Sequence, residues 1–202
     1  MNNELVAQFE SLLRSTGRDG IENLIDFIRK SDFYTAPASS RFHNCHEGGL
    51  LEHTMNVYHC LLNKKENPVF KDALPEDSSL IIIALLHDLC KVYMYTVDYK
   101  NKKVYSEHGA KSDSNGRFDW VTVPGYTVED VMPLGHGEKS VILASKYIDL
   151  TPLETYAILY HMGFTIPKDN WNTLSAALRK YPIILAIHEA DLEATYMLEE
   201  DE

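Results

Sequence analysis

Seven consecutive apolar residues, Leu80-Ile-Ile-Ile-Ala-Leu-Leu86, run directly into His87-Asp88. A helix that is apolar on every side must be surrounded by protein, so this run predicts a buried central helix and a core large enough to enclose it. The two residues that follow then carry an imidazole and a carboxylate into that interior. Burying such a pair costs several kcal/mol unless something compensates, and a metal ion is the commonest compensator for these two ligand types. Taken alone, the pair fits a structural hydrogen bond equally well.

The rest of the chain supplies the enclosing elements. Leu5, Phe9, Leu12 and Leu13, then Ile21, Leu24, Ile25 and Ile28, recur at helical spacing on either side of a Gly17 to Gly20 break, which predicts two opening helices. Gly48-Gly49 opens a helix to about Asn63, and Pro75-Glu-Asp77 starts the helix of the apolar run. Helical periodicity returns at Glu138 to Leu150. Thr151-Pro-Leu-Glu154 is a capping box whose helix is expected to end at Gly163. Further helices are expected around Trp171 to Lys180 and from Pro182 to about Leu198, with Glu199 to Glu202 as solvated acid. Between Val92 and Val131 the texture changes to aromatic and β-branched residues: Val92 to Tyr99, a polar turn at Lys100 to Lys103, Val104-Tyr105, and Phe118 to Val123. Two or three short strands are expected there. The expected class is all-α, one domain over 1–202 with a small β-hairpin insertion at about 92–131.

Other polar residues stand where apolar ones belong. His53 lies at the edge of the inward face of its helix. Leu153, Ala157 and His161 form an i, i+4, i+8 row, and Ile184, Ile187, His188, Asp191, Thr195 and Leu198 share one stripe. His136 sits between Gly135 and Gly137, which let the backbone approach a ligand. One shared metal centre explains all of these residues, where separate structural bonds would require a coincidence for each. Competing motifs fail. Gly135-His-Gly-Glu-Lys-Ser140 lacks the glycine that a phosphate loop needs before its lysine, and neither His46-Glu47 nor His188-Glu189 has the second histidine of a zinc-protease helix.

The order His53, His87-Asp88, His136, His161, Asp191 resembles the H…HD…H…H…D signature of the HD-domain metal-dependent phosphohydrolase superfamily. His46-Glu-Gly-Gly-Leu-Leu-Glu-His53 is similar to the G-G-L-x-x-H opening of exoribonuclease-type and relaxase-associated members, and Leu85-Leu-His-Asp-Leu-Cys-Lys91 to the L-L-H-D-[IL]-x-K core. Gly135 to Ser140, Tyr160-His-Met-Gly163 and Ala190 to Tyr196 resemble a bacterial and phage branch of small HD proteins. The likeness covers roughly 37–198. It implies a helical bundle in which His53, His87, Asp88 and Asp191 hold one ion while Asp88 bridges to a second held by His136 and His161. Imidazole and carboxylate ligands suit manganese, iron, nickel, cobalt or zinc, and so many imidazoles argue against magnesium alone.

The expected activity is hydrolysis of a phosphomonoester or phosphodiester of a nucleotide or other small phosphorylated substrate, with Asp88 and Lys91 as catalytic residues. Lys91 is placed to neutralise charge on the phosphoryl oxygens, and Arg41, His43, His46 and Lys139 are candidates for phosphate contact. His188 is left between a carboxylate partner and a buried cap. The aromatic residues of the insertion, Tyr93, Tyr95, Tyr99, Trp120 and Tyr126, fit base stacking or cross-strand packing. The alternatives are a single-strand nuclease, an O₂-dependent diiron oxygenase, and a nucleotide-binding sensor without turnover. Nineteen Lys and Arg against 30 Asp and Glu give a net charge of −11, which disfavours long nucleic acid as a partner. Three cysteines without a C-x-x-C pair, no basic leader and no long apolar segment favour the cytoplasm, with no membrane partner. Oligomeric state is not legible.

Overall fold

The computed structural model describes residues 2–199; the expected acidic tail beyond Glu199 lies outside them. Eight α-helices are present among the described residues: α1 (Asn3–Ser15), α2 (Ile21–Lys30), α3 (Gly49–Asn63), α4 (Asp77–Leu86), α5 (His136–Ala144), α6 (Pro152–Leu159), α7 (Trp171–Lys180) and α8 (Ile183–Glu193). Helix α4 is the hub. Every residue from Ser79 to Leu86 is buried, and the helix packs against α1, α3 and α6. Complete burial of a leucine or isoleucine side chain contributes roughly 1.5–3 kcal/mol, so the apolar run dictates where the other helices must lie.

Polar clamps hold the shell to this hub. Thr151 caps α6 with a complete capping box, and the same Glu154 carboxylate, fully buried, accepts from Ser79 Oγ at 2.7 Å and pairs with Arg18. The connection between α1 and α2, the hub and α6 are thereby tied at one point. Glu10 does the same for the opening helices, accepting from Arg29 at 2.5 and 2.7 Å and from Arg14 at 3.2 Å.

The expectation of an all-α chain is overturned. The fold is mixed, 52% helix and 14% strand, with a three-stranded antiparallel sheet in the order β1 (Tyr95–Tyr105), β3 (Gly116–Val128), β2 (Lys111–Asp113). The two main strands are 11 and 13 residues long, not short. The Lys100 to Lys103 segment, expected to be a turn, runs straight through β1: Lys100 pairs with Val123, Asn101 with Thr122, Lys102 with Val121 and Lys103 with Trp120. Its polar side chains are satisfied across the strands. Lys103 lies 4.4 Å from the Phe118 ring centroid and binds Asp113 at 2.5 Å, and Thr122 donates to Asn101 at 2.9 Å. Cross-strand partners of this kind make a lysine-rich segment a stable strand. The ribbon returns to the helices at Tyr95, whose hydroxyl donates to the Ala38 carbonyl at 3.3 Å. Among the described residues no helix is long and apolar enough to cross a membrane.

Candidate metal centre

Five elements converge on the end of α4. His87 caps that helix, and Asp88 leaves it at φ −107°, ψ 20° to begin a 3-10 turn, Leu89–Lys91. His53 comes from the middle of α3, His136 is the first residue of α5, His161 lies just past the end of α6, and Asp191 is on α8. Helix α5 comes close to α6 because Gly137 has no side chain: a Cβ there would fall 2.0 Å from the Leu159 carbonyl oxygen. That contact sets His136 beside His161.

Asp88 is the centre of the cluster. Its Oδ2 lies 3.6 Å from His53 Nε2 and 3.5 Å from His87 Nε2, and its Oδ1 lies 3.7 Å from His161 Nε2 and 4.0 Å from His136 Nδ1. Asp191 Oδ1 is 3.3 Å from His53 Nε2. All four of these imidazole nitrogens are buried and none has a hydrogen-bond partner. His87 and His161 each donate through Nδ1 to a backbone carbonyl, Ala84 and Ile158, at 2.7 Å. Those bonds fix the proton on Nδ1 and leave the Nε2 lone pair facing the cluster.

The Asp88 separations of 3.5–4.0 Å are too long for good hydrogen bonds, but two donors each about 2.1 Å from a tetrahedral ion would be about 3.4 Å apart. The orphaned nitrogens therefore fit a metal better than they fit one another. The groups His53/His87/Asp88, Asp88/Cys90/His136 and His43/His53/Glu199 can each hold an ion. In the second, burial and the nearby Asp88 push the Cys90 thiol up to about 12, so without a metal it remains a thiol.

The electrostatics agree with a cation site. Burial opposes ionisation of Asp88, yet the Lys91 ammonium at 2.7 Å and the His87 ring hold its carboxyl well below the usual range. Burial likewise opposes charge on His53, but the carboxylates of Asp191 and Glu199 outweigh it and raise the imidazole to about 9. His136 is lowered, chiefly by burial, which keeps its lone pair free.

Asp88 and Asp191 line one wall of a cavity of about 780 Å³ with Lys91, while Phe42, Met94, Tyr95 and Tyr196 form much of its apolar lining. Of the four substrate-contact candidates Lys91, Arg41, His46 and Lys139, only Lys91 lines this cavity. Arg41 is exposed, His46 faces Glu52 at 3.5 Å on the surface, and the buried Lys139 is engaged by Asp130 at 2.6 Å. Their nearness to ligands in sequence is not nearness in space. His43 does line the cavity. His188, half-buried, donates to the His161 carbonyl at 2.7 Å, a backbone cap and not a carboxylate partner.

Glu199 is the residue that sequence reasoning missed. Expected to be solvated, it is 6% exposed and places its carboxylate 3.0 Å from His53 Nδ1. Past α8 the chain forms a π-helical turn, Ala194–Leu198. A π turn takes in more residues than an α turn, which moves the inward position on by one. Leu198, expected on the inward stripe, is 57% exposed, and Glu199 replaces it inside. The spacing of Asp191, Thr195 and Glu199 at i, i+4, i+8 is the signal that points to it.

No family model matches the chain, and neither a curated protein nor a solved structure matches it. The site itself defines the class: a protein with buried His, Asp and Cys groups that can hold a metal ion.

Proposed function

We propose that the chain is a metal-dependent phosphoester hydrolase of the HD type. The observation that carries this is the ring of four unpartnered imidazole nitrogens around Asp88, divided between its two oxygens. That division suits a pair of ions, one of which His53, His87, Asp88 and Asp191 would hold and the other Asp88, His136 and His161. Manganese, iron, nickel, cobalt and zinc suit these donors. When bound, such ions supply Lewis acidity to a phosphoryl oxygen and make a nucleophile of water at neutral pH.

The chain's own residues limit the substrate. Among the described residues lining the cavity, Lys91 is the one lysine or arginine, and it stands beside the acids Asp88, Asp191 and Glu199. Beyond the metal ions themselves, only Lys91 of these residues would balance phosphate charge, so a single phosphoryl group at the ions, in a monoester or diester, fits better than a triphosphate tail extended along the cavity. Lys91 orients Asp88 and places an ammonium beside the reacting group. Phe42, Tyr95 and Tyr196 offer apolar and aromatic surface for the body of the substrate, a nucleoside included.

The test is elemental analysis of the purified protein and its Asp88→Ala variant, with hydrolysis of bis-p-nitrophenyl phosphate and of nucleotides in added manganese. About two equivalents of metal, lost together with hydrolysis in the variant, are expected. A folded protein that takes up no metal on reconstitution would refute the proposal.

A further inference from the structure

The four histidines differ in what holds the ring nitrogen turned away from Asp88. His87 and His161 follow helix ends, where the last four carbonyls have no intrahelical partner. Each takes one of those carbonyls three residues back, Ala84 and Ile158. His53 has no such option, because it sits inside α3, where the carbonyls of Gly49 and Leu50 belong to the helix ladder. Its Nδ1 instead meets both oxygens of Glu199, at 3.1 and 3.0 Å, from a residue 146 positions further along the chain. Asn56, one turn after His53, donates to the same carboxylate at 2.9 Å. Apart from these contacts the carboxylate is buried on the cavity wall, and an arrangement so costly persists only where its partners are fixed.

We infer that Glu199 is the positioning residue of His53, and that the π-helical turn carrying it is part of the metal centre. This rests on the metal reading of the site. The carboxylate accepts the Nδ1 proton, turns Nε2 toward Asp88 and Asp191, and makes the imidazole a stronger donor. His43 offers a rival arrangement. Its ring lies 4.8 Å from that of His53, its buried Nε2 has no partner, and together with Glu199 it can hold an ion directly.

The experiment measures Co²⁺ affinity by competition, and the Nδ1 proton of His53 by NMR in the Zn²⁺-loaded protein, for wild type, Glu199→Ala, Glu199→Gln and His43→Gln. Glu199→Ala should bind Co²⁺ about 10–100-fold more weakly and lose the protected Nδ1 signal, a loss that a merely structural role would not cause. Glu199→Gln, whose amide oxygen accepts the same proton, should lose less affinity and keep the signal. His43→Gln should bind as wild type does. Wild-type affinity in Glu199→Ala would overturn the inference alone. A loss in His43→Gln equal to that in Glu199→Ala would overturn it too, by making Glu199 a direct ligand. A wild-type protein that binds no Co²⁺ would instead remove the metal reading beneath it.

Discussion

Removing and restoring metal should change the stability of this protein by a predictable amount. Asp88, Asp191 and Glu199 bring three carboxylates to the site and Lys91 one ammonium, an excess of two negative charges while the imidazoles are neutral. In the metal-free chain a proton on His53, raised to about 9, offsets part of that excess. A divalent ion offsets it fully and displaces the proton. Because the site exists only in the folded chain, an ion at 100 times its dissociation constant stabilises folding by about 2.7 kcal/mol. For a chain of this length each kcal/mol moves Tm by about 2–4 °C, so the expected rise is about 5–11 °C for each ion bound. Calorimetry after chelation, with Mn²⁺ or Co²⁺ returned, reads it, and Asp88→Asn should abolish it. A rise below about 1 °C, or the same rise in Asp88→Asn, would refute the charge accounting.

Gly137→Ala pushes a methyl group into the Leu159 carbonyl. It should part α5 from α6, weakening metal binding and lowering Tm in the same variant. Glu154→Ala removes the buried acceptor of Ser79 and the partner of Arg18, and leaving Ser79 unpaired in the core should cost about 1–3 kcal/mol in urea unfolding. The Arg29 hydrogen bonds, helped by Arg14 and opposed by burial, hold the Glu10 carboxyl below its usual range. A group lowered on folding stabilises the protein above its unfolded pKa of about 4.3 and stops doing so as pH falls through the folded value. Glu10→Gln should therefore flatten the loss of stability below about pH 4.3, and an unchanged acid limb would count against the Glu10 cluster.

The helices were legible because apolar residues recur at their period, and α4 because nothing polar interrupts it. His53, His87, Asp88, His136, His161 and Asp191 stood out because each is a metal-ligand type on a face meant for the interior, and the fold brings them together. The length of β1 was hidden because lysines signal turns unless their cross-strand partners are known, and Trp120, Phe118 and Asp113 are contributed by other strands. Arg41, His46 and Lys139 misled because proximity along a chain says little about which wall of a cavity a side chain reaches. Glu199 was hidden because it opens a run of four acids that reads as solvated charge, and because the π turn moves the inward position from Leu198 to Glu199.

Helices α4 and α6 both end at the cluster. The carboxyl end of a helix carries about half a negative charge and the amino end about half a positive one, so α4 and α6 bring two negative ends to the cluster while α5, which starts at His136, brings one positive end. The net backbone contribution is thus about half a negative charge, which adds to the carboxylates' preference for a cation. An Asp88 variant would keep that field but lose the carboxylate that joins the four histidines, so the backbone favours a cation without by itself holding one. Substitutions among the histidines around Asp88 therefore act on which ion is held, against a backbone field that stays the same.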